Sequence, residues 1–221
     1  MKIDILTLFP EMFTGFLHES IIKKAIDHKL VEINFVNIRD FANNKHNKVD
    51  DTPYGGGPGM VMMCEPIFLA IESVKTKDSL VIMLTPQGNT FNQQLATSLV
   101  TKKHLILLCG HYEGFDERIK TIIDLEISIG DYVLTGGEIP AMIITDAVTR
   151  LIPGVIKEES IQNETFTNNL LDYPVYTKPR TFRNLDVPDV LLNGNHEEID
   201  KYRKRIQIQR TKEQRPDIME W

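Results

Sequence analysis

The chain reads as an α/β protein, a parallel sheet wrapped by helices and followed by a small, mainly helical C-terminal domain. Three observations lead there. Apolar runs of strand length alternate with helical patterns over residues 1–151. Two of the runs, LVIML at 80–84 and LILLC at 105–109, are apolar without a break, as strands covered on both faces of a parallel sheet are. Glycine clusters where the runs end.

The elements follow in order. A strand is expected over residues 3–9, a helix over 11–29 and a second strand over 31–38. Next come a helix over 65–75, a strand over 80–84 and a helix over 92–101 that Asn92 can cap. A strand over 104–109 precedes a helix over 116–123, where Asp116 puts negative charge on the first turn, as the helix dipole favours. A strand over 125–129 and a helix over 138–151, stopped by Pro153-Gly154, complete the alternation. Residues 155–170 lose periodicity and turn polar (KEESIQNETFTNN), the composition of a linker or mobile loop. After Pro179 come short elements and a last helix over 197–210. The expected division is a catalytic domain over 1–156, a linker or lid over 157–172 and a C-terminal domain over 173–221.

With 42% apolar and 25% charged residues, the balance is that of a soluble globular protein. No run approaches the roughly 20 apolar residues that cross a bilayer, so no membrane partner is expected. Asp4 and Glu11 interrupt the apolar N-terminus, which reads as a strand and not a signal peptide. Cys64 and Cys109 lack metal or disulfide spacing and read as buried thiols in a reducing compartment, so the cytoplasm is expected. The net charge of −6 is uneven: residues 1–175 carry 15 basic against 23 acidic side chains, residues 176–221 carry 10 against 8. Between Lys201 and Arg215 seven basic residues face the single acid Glu213, either a solvated helix face or a phosphate-contacting patch.

Four glycine-rich segments stand out: TPQG at 85–88, CGHYEG at 109–114, IGDYVLTGGE at 129–138 and DDTPYGGGPG at 50–59. In open α/β sheets ligands bind beyond the carboxyl ends of strands, where three of these segments fall. No GxGxxG follows the first strand and no Gly-Lys-Ser/Thr occurs, so dinucleotide and P-loop sites are disfavoured. Two aspartates precede the GGGPG loop and no basic residue lies in it, a poor setting for phosphate. A small adenosine-type ligand read by backbone groups fits better.

The ordered motifs PYGGGPGM, PQG, CGHYEGFDERI, SIGDYVLTGGEIPAM, RLIPGV and LLNGNHEEI cover nearly the whole chain. They resemble the bacterial tRNA (guanine-N1)-methyltransferases, which modify guanosine 37 beside the anticodon. That resemblance implies a SPOUT-like deep trefoil knot in the sheet, a rare exception to unthreaded chains. It implies S-adenosylmethionine held in the knot by Pro86, Gln87, Gly88, Gly110, Ile129, Gly130, Asp131, Tyr132, Val133 and Leu134, with Gly136 and Gly137 allowing close packing. It also implies a homodimer with shared active sites and a C-terminal domain shorter than in many relatives.

Methylating N1 of guanine requires removing its proton, a task for a carboxylate whose pKa partial burial raises, while developing charge on O6 needs a donor. By resemblance Arg150 is that donor, although an arginine there also suits a helix C-terminus. The family's base is an aspartate in a DSF-like segment; here NETF at 163–166 puts Glu164 in its place, with Asp172 as an alternative. Glu113 is a further candidate for contacting guanine. Glu113, Glu164 and Asp172 are candidate oxygen ligands for Mg²⁺, which the resemblance implies assists the reaction. Asp50 and Asp51 either position the guanosine or cap their loop. Lys201, Tyr202, Arg203 and Arg205 are expected to grip tRNA phosphates. Two other readings stay open: a knotted enzyme acting on ribose 2′-hydroxyls, and a non-catalytic RNA-binding module.

Overall fold

The computed structural model describes residues 1–157, 160–161, 164–166 and 168–219. These form two compact units, Met1–Ile156 and Lys157–Trp221.

The first unit is built on a five-stranded parallel sheet of β1 (Lys2–Thr7), β2 (Glu32–Asn37), β5 (Ser79–Thr90), β6 (His104–Cys109) and β7 (Leu125–Ser128). Their order across the sheet is β2-β1-β6-β5-β7. β6 is buried along its whole length, as its unbroken apolar run requires. Strand pleating sends Leu105 and Leu107 to one face and Ile106 and Leu108 to the other. The first face packs with residues of α2 (Ser20–Asp27), α4 (Gln93–Val100) and α5 (Glu138–Thr149), the second with α3 (Cys64–Val74). Asn92 caps α4, accepting from the Leu95 N–H at 2.9 Å, as its type and position suggested. The GGGPG loop is closed at its base by the antiparallel pair β3 (Asp50–Asp51) and β4 (Val61–Met62).

Three expectations are corrected. The helix over 11–29 is broken into a 3-10 turn (Pro10–Phe13), α1 (Thr14–Leu17) and α2, with Ser20 at φ 55°. Phe13 and Ile22 are both buried, yet nine residues put them on opposite faces of a continuous helix, so a break is needed. The helix over 116–123 is a 3-10 helix (Glu117–Ile122). Asp116 stands outside it as the cap, accepting from the Arg118 N–H at 2.9 Å. The strand over 80–84 continues to Thr90. Leu84 pairs with Ile127, the chain bulges over 85–88, and Asn89 pairs with Ile127 again.

The second unit holds a short hairpin of β8 (Thr181–Phe182) and β9 (Leu185–Asp186), followed by α6 (His196–Gln214). Asn195 caps α6, and the helix runs one turn beyond the expected Arg210. Thr211, buried on α6, accepts from the Leu171 N–H at 2.9 Å, and Arg210 donates to the Asp172 carbonyl at 3.2 Å. These bonds tie the segment around 171–172 to the helix. Among the described residues, no helix is long and apolar enough to cross a membrane.

Candidate active site

Between the bulge of β5 and the turns that follow β6 and β7, the glycine-rich segments enclose a cleft of about 440 Å³. Its walls include Pro86, Gln87, Gly110, Glu113, Ile129, Gly130, Tyr132, Val133, Leu134, Gly136 and Gly137. Of the expected cofactor residues, Gly88 and Asp131 are not in the wall. Gly88 closes the bulge of β5 instead: a Cβ there would stand 2.4 Å from the backbone nitrogen of Ile127. Gly137 is as constrained, because a Cβ would meet Cys109 Cα at 2.6 Å. Its N–H donates to the Gly110 carbonyl at 2.9 Å, joining the turn after β7 to the turn after β6.

The turn after β6 is fixed from both sides. Glu113 N–H donates to the Met60 carbonyl and Met62 N–H to the Gly114 carbonyl, each at 2.9 Å, so the GGGPG loop is zipped along it. The Glu113 side chain lies over Gly59, where a Cβ would come 2.4 Å from its Cγ. Between these anchors Tyr112 adopts φ 60°, a left-handed conformation that costs a non-glycine residue about 1–3 kcal/mol and clusters at functional sites.

The charges lining the cleft lean acidic. Glu113 and Glu117 face one lysine, Lys120, whose ammonium is held by Glu117 at 3.2 Å and Glu126 at 3.7 Å. Those partners push the Lys120 pKa up, chiefly through the bond to Glu117. In the core just before Gly110, burial pushes the Cys109 thiol well up, and the neighbouring Glu138 carboxylate adds to it. Arg118 forks onto Asp116 at 2.8 and 2.6 Å and holds that carboxyl below its usual range.

All 221 residues match the family model described as tRNA (Guanine-1)-methyltransferase TrmD. The chain belongs to the tRNA (guanine-1)-methyltransferase family. It is 60% identical to the tRNA (guanine-N(1)-)-methyltransferase of Malacoplasma penetrans over 99% of this chain and 96% of the relative. The proteins of that name from Moorella thermoacetica and Dictyoglomus turgidum are 55% and 57% identical, over 99% and 100% of this chain and 90% of each relative.

In this family member the remaining candidates divide between the two units. Arg150 is the C-cap of α5, donating its N–H to the Asp146 carbonyl. Asp51 Oδ1 accepts from the Thr52 N–H at 2.8 Å, while Asp50 pairs in β3. In the second unit Glu164 lines a polar pocket of about 480 Å³ with Tyr173, Asp200, Arg203 and Lys204. Arg203 stacks over Tyr173 at 4.6 Å, and Asp172 accepts from the Tyr173 N–H at 2.7 Å. Lys201 is bridged to Glu197, and Arg205 lies over the Tyr202 ring at 5.7 Å. Asn163, next to Glu164, lies outside the described residues. Among the described residues, no three histidine, cysteine or carboxylate side chains gather at metal-binding spacing.

The sequence did not single out Thr7, His111 and Glu138. Glu138 is buried at the first turn of α5, with Thr7 Oγ1 2.6 Å from one carboxylate oxygen and His111 Nε2 2.8 Å from the other. The available signal was an acid directly after two glycines, at the mouth of a helix that enters the core.

Proposed function

We propose that this chain transfers the methyl group of S-adenosylmethionine to N1 of guanosine 37 in tRNA, acting in the cytoplasm as a homodimer. The observation that carries this reading is the whole-chain family match, with its most specific segments forming the walls of one cleft.

The cleft suits the cofactor. Its volume is that of a small-ligand site, glycines bring backbone close, and its acidic lining favours a sulfonium cation over a phosphate. Gly110, Gly136, Gly137 and the segment 129–134 would hold the cofactor, which supplies an electrophilic methyl group when bound. The turns around it are the proposed trefoil knot, for which β6 lying between β1 and β5, and β5 pairing twice with β7, give the frame.

Glu164 is the proposed base. It takes the N1 proton of guanine and so frees the lone pair that attacks, while Arg150 steadies the charge that moves to O6. Glu164 lines a polar pocket with Asp200, Arg203 and Lys204, beside the Tyr173 that follows Asp172. The exposed cations of α6 would contact tRNA phosphates and position the substrate. A dimer is supported by exposed Phe9, Met12, Ile139 and Ile143, on two stretches of chain in contact with each other, Phe9 packing against the cleft residue His111.

The test is single-turnover methylation of tRNA transcripts carrying guanosine or adenosine at position 37, with the product nucleoside identified by mass spectrometry. N1-methylguanosine should form only on the first. Glu164→Gln should slow the chemical step about 100-fold or more. Full activity in that variant removes Glu164 as base, and a ribose-methylated product removes the reading of the substrate atom.

A further inference from the structure

We propose that His111 is a positioning residue of the cleft, held by a directional hydrogen-bond chain through Glu138 to Thr7, so that cofactor affinity depends on its Nε2–H. The inference rests on the proposed function, since the turn it fixes is the one assigned to S-adenosylmethionine.

The chain has one sense. Thr7 Oγ1 accepts from the Phe9 N–H at 2.9 Å, which leaves its single proton for Glu138 Oε1 at 2.6 Å. Glu138 Oε2 then accepts from His111 Nε2–H at 2.8 Å. Thr7 ends β1, His111 follows β6 by two residues, and Glu138 opens α5 after the turn from β7. One buried carboxylate therefore ties the carboxyl ends of β1 and β6 to the first turn of α5. The fit is tight: a Cβ on Gly136 would come 2.3 Å from His111 Cε1 and 2.6 Å from Glu138 Oε2.

The role is more than filling the core. His111 lines the cleft, and its ring meets Phe9 edge-on at 4.9 Å. The next residue is Tyr112 at φ 60°, followed by Glu113, whose N–H is pinned to Met60. A left-handed tyrosine persists only where its surroundings over-determine it. His111 anchors it on one side and Glu113 on the other. Without the His111 anchor the turn relaxes, and the Tyr112 ring and Glu113 carboxylate leave their places in the cleft wall.

The experiment compares His111→Ala, His111→Gln, Glu138→Gln and the Ala–Gln double variant in the full-length protein. S-adenosylmethionine binding is measured by calorimetry, alongside steady-state kinetics on tRNA. The Gln amide nitrogen stands the same number of bonds from Cα as His Nε2, so His111→Gln can restore the donor. His111→Ala should raise the cofactor Kd and KM about tenfold or more, with the KM for tRNA unchanged. His111→Gln should recover most of that loss, and the double variant should bind cofactor no worse than its weaker parent. Should the Ala variant fail to fold, His111→Asn, whose amide is one bond short, replaces it and should bind as poorly. An Ala variant within twofold of wild type, a Gln variant no better than Ala, or additive losses overturn the inference alone. A wild-type protein that does not bind S-adenosylmethionine overturns the functional reading and this inference with it.

Discussion

At the scale of single residues, Cys109 gives a pH signature that geometry dictates. It ends β6 with no exposure, and burial, then the Glu138 charge, raises its thiol pKa well above the usual 9.0. A raised folded-state pKa stabilises the fold fully below the unfolded value. Above about pH 9 the unfolded chain sheds the proton that the folded chain must keep, so stability falls as pH rises, by up to about 1.4 kcal/mol per unit. Urea melts between pH 8 and 10 should show this slope, and Cys109→Ala should flatten it. At pH 8 a thiol reagent should titrate half-buried Cys64 in the native protein and reach Cys109 only on unfolding. The turn glycines that surround this residue were legible in the sequence because each sits in a contiguous string. The bond between Thr7 and Glu138 was not, because it joins residues 131 apart and exists only once β1 and α5 are packed.

At the scale of elements, legibility followed the number of faces an element buries. β6 appeared where its unbroken apolar run lies, because a strand covered on both sides needs no polar residue. The helix over 11–29 failed because local periodicity cannot register that Phe13 and Ile22 must both face the core. The candidate site divides the same way: glycine-rich walls follow from local sequence, whereas which side chains share a cleft is set by tertiary packing. α6 was located by its basic residues, yet the structure gives those residues unequal work. Arg203 is stacked on Tyr173 and lines the pocket with Glu164 and Lys204, while Lys201 and Arg205 are exposed outside it. Replacing Lys201 and Arg205 by alanine should weaken tRNA binding and reduce its salt slope by about two, one for each lost phosphate contact, without altering thermal stability. Arg203→Ala should in addition lower the melting temperature of the second unit, because it removes a stacking partner as well as a charge. Equal salt slopes in wild type and the double variant would show that this face does not meet phosphate.

At the scale of the whole molecule, the apolar surface beside the cleft demands an account that a solitary first unit does not give. Ile139 and Ile143 are one turn apart on α5 and point outward, although the buried side of that helix is already supplied by Ala141, Ile144 and Val148. Met12, on the 3-10 turn that contacts α5, and Phe9, just before that turn, are likewise about half exposed. Isolated apolar side chains on a surface need no explanation, but four on two stretches in contact, one of them against the cleft residue His111, point to a contact surface. A second copy of the chain placed there, as the proposed dimer requires, would cover it while completing each cleft. Ile143→Glu puts a charge into that contact without touching the core, so it should leave the fold and its urea midpoint close to wild type. It should shift the sedimenting species from dimer to monomer at micromolar concentration and remove methylation of tRNA, because shared sites are lost together with the interface. A variant that stays dimeric and active would place the contact elsewhere. One that turns monomeric yet retains full turnover would show that each chain carries a whole site.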